Sequence, residues 1–143
     1  MKLKIIYKEV KPPEIYPSKI IREKVKGIIF KITEKENTEI SELNLIFCSD
    51  VIIRDYNKIY LGHDYETDII TFHDKDEMNK TEGELLISVE TVRSNSKRFR
   101  TTFVKEIYRV IIHGVLHLCG YSDKTKSEKL KIRKKENLYL KQI

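Results

Sequence analysis

One amphipathic segment, residues 102–119, constrains the fold of this chain more than any other. Apolar side chains recur in it at helical spacing, and these lie largely on one buried side: Phe103, Ile107, Val110, Ile111 and Leu118. The same helix carries two of the chain's four histidines, His113 and His117. Because residues four apart are neighbours on a helix surface, both imidazoles are expected to point to the same place.

A third metal donor follows this histidine pair closely. Gly120 lets the chain leave the helix, and Asp123 comes three residues later. Two imidazoles on a rigid turn and a donor brought back by a bend form a three-ligand site, with one position open for water. That arrangement is typical of catalytic zinc. The sequence therefore predicts that His113, His117 and Asp123 hold one Zn²⁺ per chain in a metal-dependent hydrolase, and the alternative is a structural pair of histidines.

Length and composition indicate one domain spanning residues 1–143. The chain is 40% hydrophobic and 35% charged, which suits a globular protein and argues against a disordered one. Its N-terminus lacks the apolar run of a signal peptide, and no stretch approaches transmembrane length, so we expect a cytoplasmic protein without membrane contact. Cys48 and Cys119 belong to no C-x-x-C pair, and Cys119 is predicted to be a buried, inert thiol.

Charge is distributed unevenly along the chain. Residues 1–90 hold 14 Lys/Arg and 18 Asp/Glu, a net charge of −4, whereas residues 91–143 hold 14 and 4, a net charge of +10. The basic part also carries the histidines, which favours a polyanionic partner near the metal. Solvated helix faces would explain the same charge. Charge alone therefore does not distinguish a polyanion-binding surface from an ordinary solvated one, and the histidine motif is needed to do so.

The remaining patterns predict an α+β fold with the element order β-α-β-α-β-β-α-α. Predicted strands cover residues 3–7, 43–48, 67–72 and 84–88, the last two separated by a polar loop that includes His73. Predicted helices begin at a cap by Ser18, at a cap by Asp50 and at a Thr125–Glu128 capping box. We expect one domain with an approximately four-stranded mixed sheet packed against helices, and the metal site on the helix that carries H-G-x-L-H.

The histidine spacing is similar to H-E-x-x-H-x-x-G-x-x-H/D, the signature of the metzincin zinc proteases. Here Gly114 replaces the glutamate that serves those proteases as the general base. A zinc metallopeptidase-like hydrolase therefore becomes the alternative reading.

With Gly114 in place, residues 113–123 resemble H-G-x-L-H-L-x-G-Y-D-H, the signature of the YbeY family of bacterial rRNA-maturation endoribonucleases. The residues that match as they stand are His113, Gly114, Leu116, His117, Leu118, Gly120 and Tyr121. Further similarities lie at Asn57, 67–72, 83–85, Glu106, 132–133 and Glu136, so that the resemblance spans residues 43–136.

The resemblance implies a four-stranded sheet with helices, zinc as the cofactor, and hydrolysis of single-stranded RNA, notably 16S rRNA, in ribosome maturation and quality control. Implied partners are the small ribosomal subunit and assembly factors, and we expect a monomer. A ribosome-assembly factor with a structural metal is a further alternative, as is a basic RNA-binding domain without metal. Basic residues expected to guide the RNA backbone are Arg93, Lys97, Arg98 and Arg100.

This chain departs from the family pattern at two positions. Asp123 replaces the third histidine, and a carboxylate oxygen is a competent zinc ligand. Leu61 stands where the family usually has arginine, and His63 is the candidate to fill that catalytic role. Glu106, two helical turns before His113, is the candidate to orient a ligand or to act as a general base; the alternative is a carboxylate in the first turn of the helix, where the dipole favours it.

Overall fold

The strands of the fold form where apolar residues alternate in the sequence, and the helices form where apolar residues recur at helical spacing. The computed structural model describes residues 1–11 and 18–143, and at residues 18–21 the backbone alone. The elements within these ranges are β1 (Lys2–Lys8), α1 (Ser18–Lys35), β2 (Ile40–Cys48), α2 (Asp50–Leu61), β3 (Ile69–Lys75), β4 (Thr81–Ser88), α3 (Val89–Arg98), α4 (Phe103–Leu118) and α5 (Lys126–Leu140).

In the described part of the chain, the strands form one four-stranded mixed sheet in the order β1-β2-β4-β3. β1, β2 and β4 run parallel, whereas β3 runs antiparallel to β4 and lies at the edge of the sheet. The predicted α+β class with a mixed sheet is confirmed. None of the described helices is both long enough and apolar enough to span a bilayer.

Helix α4 packs across the sheet and fixes the position of the histidines. Its buried face joins α1 and the inward side chains of β2 and β4 in the main core. Gly114 allows a close approach to the sheet, since a Cβ there would lie 2.8 Å from Ile69 Cδ1 and 2.8 Å from Leu85 Cδ2. The opposite face of the sheet is covered in part by α2 through the buried Ile53.

Local capping signals fix several helix ends. Thr102 caps α4, and Thr125 with Glu128 forms the predicted capping box of α5. The predicted cap of α2 by Asp50 is wrong, because the Ser49 side chain accepts from Ile52 N. The Asp50 carboxylate instead accepts hydrogen bonds from hydroxyl groups at the start of α3. Ser18 is the first residue of α1, and the cap predicted for its side chain lies outside the described residues.

Helix α3 and the full β3–β4 hairpin were not predicted. α3 has apolar residues only at Val89 and Val92 in ten positions, too few for a recognisable period. In the hairpin, the strands are longer than the apolar pattern because the outer end of β3 is exposed, and His73 lies in β3 instead of a loop. The turn is closed by the Asp76 carboxylate, which accepts from the backbone N–H of Met78 and Lys80.

Candidate metal centre

His113, His117 and Asp123 converge on one point beside the edge strand β3. The two Nε2 atoms are 3.0 Å apart, and Asp123 Oδ2 lies 3.3 Å from His113 Nε2 and 3.4 Å from His117 Nε2. Donor atoms about 2.0–2.1 Å from a tetrahedral zinc ion are roughly 3.3 Å from each other. The three atoms therefore match one face of a zinc tetrahedron and leave the fourth position open.

Each imidazole is held by a hydrogen bond at Nδ1, the ring nitrogen that is not part of the converging set. His117 Nδ1 donates to the backbone carbonyl of Tyr121 at 2.8 Å, and His113 Nδ1 pairs with Glu136 Oε2 at 2.8 Å. A carbonyl or carboxylate can only accept, so these partners place the proton on Nδ1 and the lone pair on Nε2, facing the site. Burial alone would lower the pKa of His113, but the hydrogen bond and negative charge of Glu136 raise it above its ordinary value.

The bend that returns Asp123 to the histidines depends on Gly120. α4 ends at Leu118, and Gly120 adopts a φ of +100°, a conformation that side chains disfavour. The turn is closed by Tyr121 N donating to the carbonyl of Leu116 at 3.0 Å. The helix end thus supplies both the carbonyl that orients His117 and the third donor.

A carboxylate just after α1 holds this turn against α5. Glu36 Oε2 accepts from the Tyr121 hydroxyl at 2.9 Å, Glu36 Oε1 accepts from the Tyr139 hydroxyl at 2.8 Å, and Lys135 Nζ lies 3.2 Å from Oε1. Burial would raise the pKa of Glu36, but the hydrogen bonds from Tyr139 and Tyr121 and the charge of Lys135 lower it. Because the Tyr121 carbonyl also orients His117, Glu36 supports the candidate metal centre from outside.

This lowered pKa predicts a pH-dependent loss of stability. Glu36→Gln should reduce the free energy of unfolding by about 1 kcal/mol at pH 7, because the amide makes weaker hydrogen bonds than the carboxylate. The stabilisation in the wild type is complete above the ordinary pKa of 4.5 and is lost as the pH falls through the lower folded value. Urea unfolding from pH 7 to about pH 3 measures the free energy of unfolding of the wild type and of Glu36→Gln. The two free energies should converge as the pH falls. Glu34→Gln, an exposed change in the last turn of α1, should follow the wild type at every pH, and a gap between Glu36→Gln and the wild type that stays constant with pH would contradict the assignment.

Glu106 lies buried in the first turn of α4, with 3% of its surface exposed. Burial raises the pKa of Glu106, and Arg109 Nε, 3.6 Å from its Oε1, opposes that shift. Glu106, His113 and Asp123 all line a cavity of about 460 Å³. Glu106 thus pairs with Arg109, whereas Glu136 is the carboxylate that holds His113.

The same cavity collects basic side chains, only one of which was predicted. Arg98 lines it, while Arg93 lies over the Phe103 ring at 4.1 Å, and Lys97 and Arg100 are exposed around the end of α3. The other cations that line the cavity are Arg109, Lys129 and Arg133. The i, i+4 spacing of Lys129 and Arg133 on a capped basic helix was the available signal for the latter two.

A larger groove of about 870 Å³ runs from His113, His117 and Asp123 along β3. His63 and Leu61 line it from the end of α2, and Lys75 and Lys124 add positive charge. Cys119 also borders it; this free thiol is half-buried, and burial raises its pKa, as expected of an unreactive thiol. The centre is therefore open on the side where an extended chain can approach.

Comparison with known proteins identifies the family of this site. The family model described as Endoribonuclease YbeY matches residues 7–143. The chain belongs to the YbeY family. Two relatives named Endoribonuclease YbeY are from Karelsulcia muelleri, 46% identical over 78% of this chain and 79% of that protein, and from Bacteroides fragilis, 51% identical over 68% of this chain and 70% of that protein.

The fold is also found in a solved structure. The solution structure of a Thermotoga maritima protein covers 96% of this chain and 86% of its own, with a TM-score of 0.66 and 29% sequence identity. The sheet and helices described above are therefore shared with a known structure.

Proposed function

We propose that this protein is a zinc-dependent endoribonuclease that cleaves single-stranded RNA in the cytoplasm, in 16S rRNA maturation and ribosome quality control. Membership of the YbeY family and the names of the relatives support the endoribonuclease activity. The observation that carries the zinc dependence is the convergence of two Nε2 atoms and one carboxylate oxygen, with both Nδ1 atoms already paired.

The chemistry is divided among a few side chains. His113, His117 and Asp123 would hold the ion, which when bound supplies Lewis-acid activation of water and stabilises charge that develops at phosphorus. Glu136 and the Tyr121 carbonyl keep the imidazoles oriented for binding. Glu106 is proposed to accept a proton during cleavage, since its buried carboxylate lines the cavity beside the ligands.

The basic cavity and the groove suit one strand of a polyanion. Arg98, Lys129 and Arg133 line the cavity next to His113, and Lys75 and Lys124 line the groove on the other side. These cations are proposed to contact phosphates, with Arg93, Lys97 and Arg100 adding longer-range attraction, so affinity should fall steeply with salt. A monomer acting on the small ribosomal subunit with assembly factors would suffice for this reaction.

A peptidase is not favoured at this centre. The glutamate of metzincins would stand at residue 114, where even a Cβ meets Ile69 and Leu85 in the core at 2.8 Å. A carboxylate there would therefore be directed into the sheet and away from the open side of the site.

The proposed activity is tested with the purified protein and short RNA oligonucleotides. Elemental analysis should find about one zinc per chain, and single-stranded RNA should be cleaved while the matching duplex is spared. Chelation should abolish cleavage and added zinc should restore it. Zinc-loaded protein that binds small subunits but leaves single-stranded RNA intact would support a ribosome-assembly factor with a structural metal instead. Protein without metal would favour a plain RNA-binding domain.

Glu106→Gln tests the proton acceptor. We expect kcat to fall by about 10²-fold with zinc content unchanged, since the amide keeps the shape but cannot take a proton. Steady-state cleavage and elemental analysis measure these effects, and thermal unfolding checks the buried substitution. Glu77→Gln, at an exposed carboxylate in the β3–β4 turn, should match the wild type. An unchanged kcat would reduce Glu106 to a structural partner of Arg109.

A further inference from the structure

Two exposed aromatic rings stand together at the groove that leads to the metal centre. His63 and Tyr65 have ring centroids 5.2 Å apart and planes inclined by 12°, so the two rings are stacked and nearly parallel. Both side chains line the groove together with His113, His117 and Asp123, and Tyr65 is 53% exposed. The pair thus offers a flat, solvent-accessible surface in the same groove that the candidate metal ligands line.

One buried residue holds the backbone of the segment that carries these rings through hydrogen bonds. Asn57, with 2% of its surface exposed, accepts at its backbone carbonyl from Gly62 N and His63 N, and its side-chain amide donates to the carbonyl of Tyr65 at 3.0 Å. Gly62, with φ of +71°, ends α2 and turns the chain into this segment. The backbone that carries the rings is therefore fixed before any ligand binds.

Asp64, which lies between these two residues in the sequence, pairs with α2. Its Oδ1 accepts from Arg54 Nε at 2.9 Å, which adds a further anchor on α2. The rings of His63 and Tyr65 thus contact each other, while the Asp64 side chain is paired with α2. Exposed aromatic rings on a fixed backbone lose little conformational entropy when they contact a flat ligand.

We propose that His63 and Tyr65 form a base-stacking subsite, which binds one unpaired nucleobase of single-stranded RNA beside the metal centre. This inference rests on the proposed function and assigns His63 to binding instead of to phosphate or proton chemistry. Nucleobases stack on aromatic side chains regardless of sequence, whereas bases in a duplex have no free face to offer. Lys75 and Lys124 in the same groove supply charge for the phosphates of the strand.

Paired substitutions separate stacking from charge. His63→Phe and Tyr65→Phe keep a ring, whereas His63→Lys supplies a cation without a ring and Tyr65→Leu keeps apolar bulk without one. Binding of a fluorescent single-stranded RNA is measured by anisotropy, and gels of the same samples report whether the RNA stays intact. We expect both phenylalanine variants to bind within about twofold of the wild type, and the other two to bind about tenfold more weakly.

A tyrosine outside the groove provides the control. Tyr60 is 63% exposed but packs against Tyr56 and Phe72, so Tyr60→Leu should leave RNA affinity unchanged. Thermal unfolding shows whether each variant is folded. A difference that disappears when the RNA carries abasic sites would identify the base as the contacted group.

The opposite outcomes distinguish failure of the subsite from failure of the proposed nuclease. If His63→Lys binds normally and His63→Phe does not, His63 contacts phosphate and the stacking subsite is wrong. If all variants bind alike, the rings do not contact RNA. Ring-dependent binding with RNA that stays intact on the gel would contradict the proposed nuclease and leave the subsite standing. A wild-type protein that binds no single-stranded RNA would overturn both.

Discussion

A His117→Ala protein is expected to lose bound zinc and RNA cleavage together. The substitution removes one of the three converging donor atoms and leaves His113 and Asp123, two ligands without a fixed tetrahedral face. Because the metal supplies several kcal/mol of transition-state stabilisation, cleavage should fall by at least about 10³-fold. Elemental analysis of the purified protein and cleavage of a single-stranded oligonucleotide measure the two losses on the same preparation.

His73→Ala is the matched control for this loss. His73 is an exposed histidine on β3 that lines the same groove but lies outside the cluster of converging donors. Its removal should leave zinc content unchanged and cleavage close to wild type. Full cleavage by His117→Ala protein that is free of metal would contradict the zinc-dependent mechanism, whereas a fall in cleavage with zinc retained would assign His117 a role other than metal binding.

The elements that sequence patterns predicted well are those whose signals are local. The helix over 102–119 has a continuous apolar period, and its observed extent, Phe103–Leu118 with Thr102 as the cap, follows that period closely. The capping box at Thr125 is likewise contained in four residues. The convergence of Asp123 with the histidines was predictable for the same reason, since Asp123 follows His113 by only ten positions and Gly120 permits the bend between them.

Contacts between residues that are far apart in the sequence could not be predicted from local sequence patterns. Glu136 holds His113 across 23 positions, and Glu36 reaches Tyr121 across 85. Nothing in the local sequence distinguishes these glutamates from solvated ones, because only the packing of α1 and α5 around α4 brings them to the site. The resemblance to a family motif marked Glu136, but the role of its carboxylate follows from the structure alone.

The distribution of charge along the sequence predicted a basic surface near the site, but not which residues form it. The excess of basic residues after position 90 was evident, but the four predicted RNA contacts all lie in the unpredicted helix α3 or just after it. Of these, Arg98 lines the cavity beside His113, and Arg93 instead packs over Phe103. The orientation of α5, which brings Lys129 and Arg133 to the cavity, is set by tertiary packing through its buried residues Ile132 and Tyr139.

Substitutions at Asp123 test whether the residue that departs from the family pattern is a true ligand. Asp123→Ala should weaken zinc binding by more than the roughly 10- to 100-fold typical of losing an outer partner of a ligand, and cleavage should fall with it. Asp123→His places an imidazole at this position, and zinc accepts nitrogen as readily as oxygen, so metal binding and cleavage should be retained. Competition with a chromogenic chelator measures affinity, and oligonucleotide cleavage measures activity.

The two substitutions together separate ligation from simple electrostatics. If Asp123 only supplied negative charge, histidine would behave like alanine, because a neutral imidazole restores a donor atom but not the charge. Asp74→Ala, which removes an exposed carboxylate from β3, controls for overall charge and should leave zinc affinity unchanged. Because Oδ2 lies 3.3 and 3.4 Å from the two Nε2 atoms, we expect histidine to rescue and alanine to fail. Wild-type zinc affinity in Asp123→Ala would mean that two histidines and solvent suffice, and that the third protein ligand has been lost.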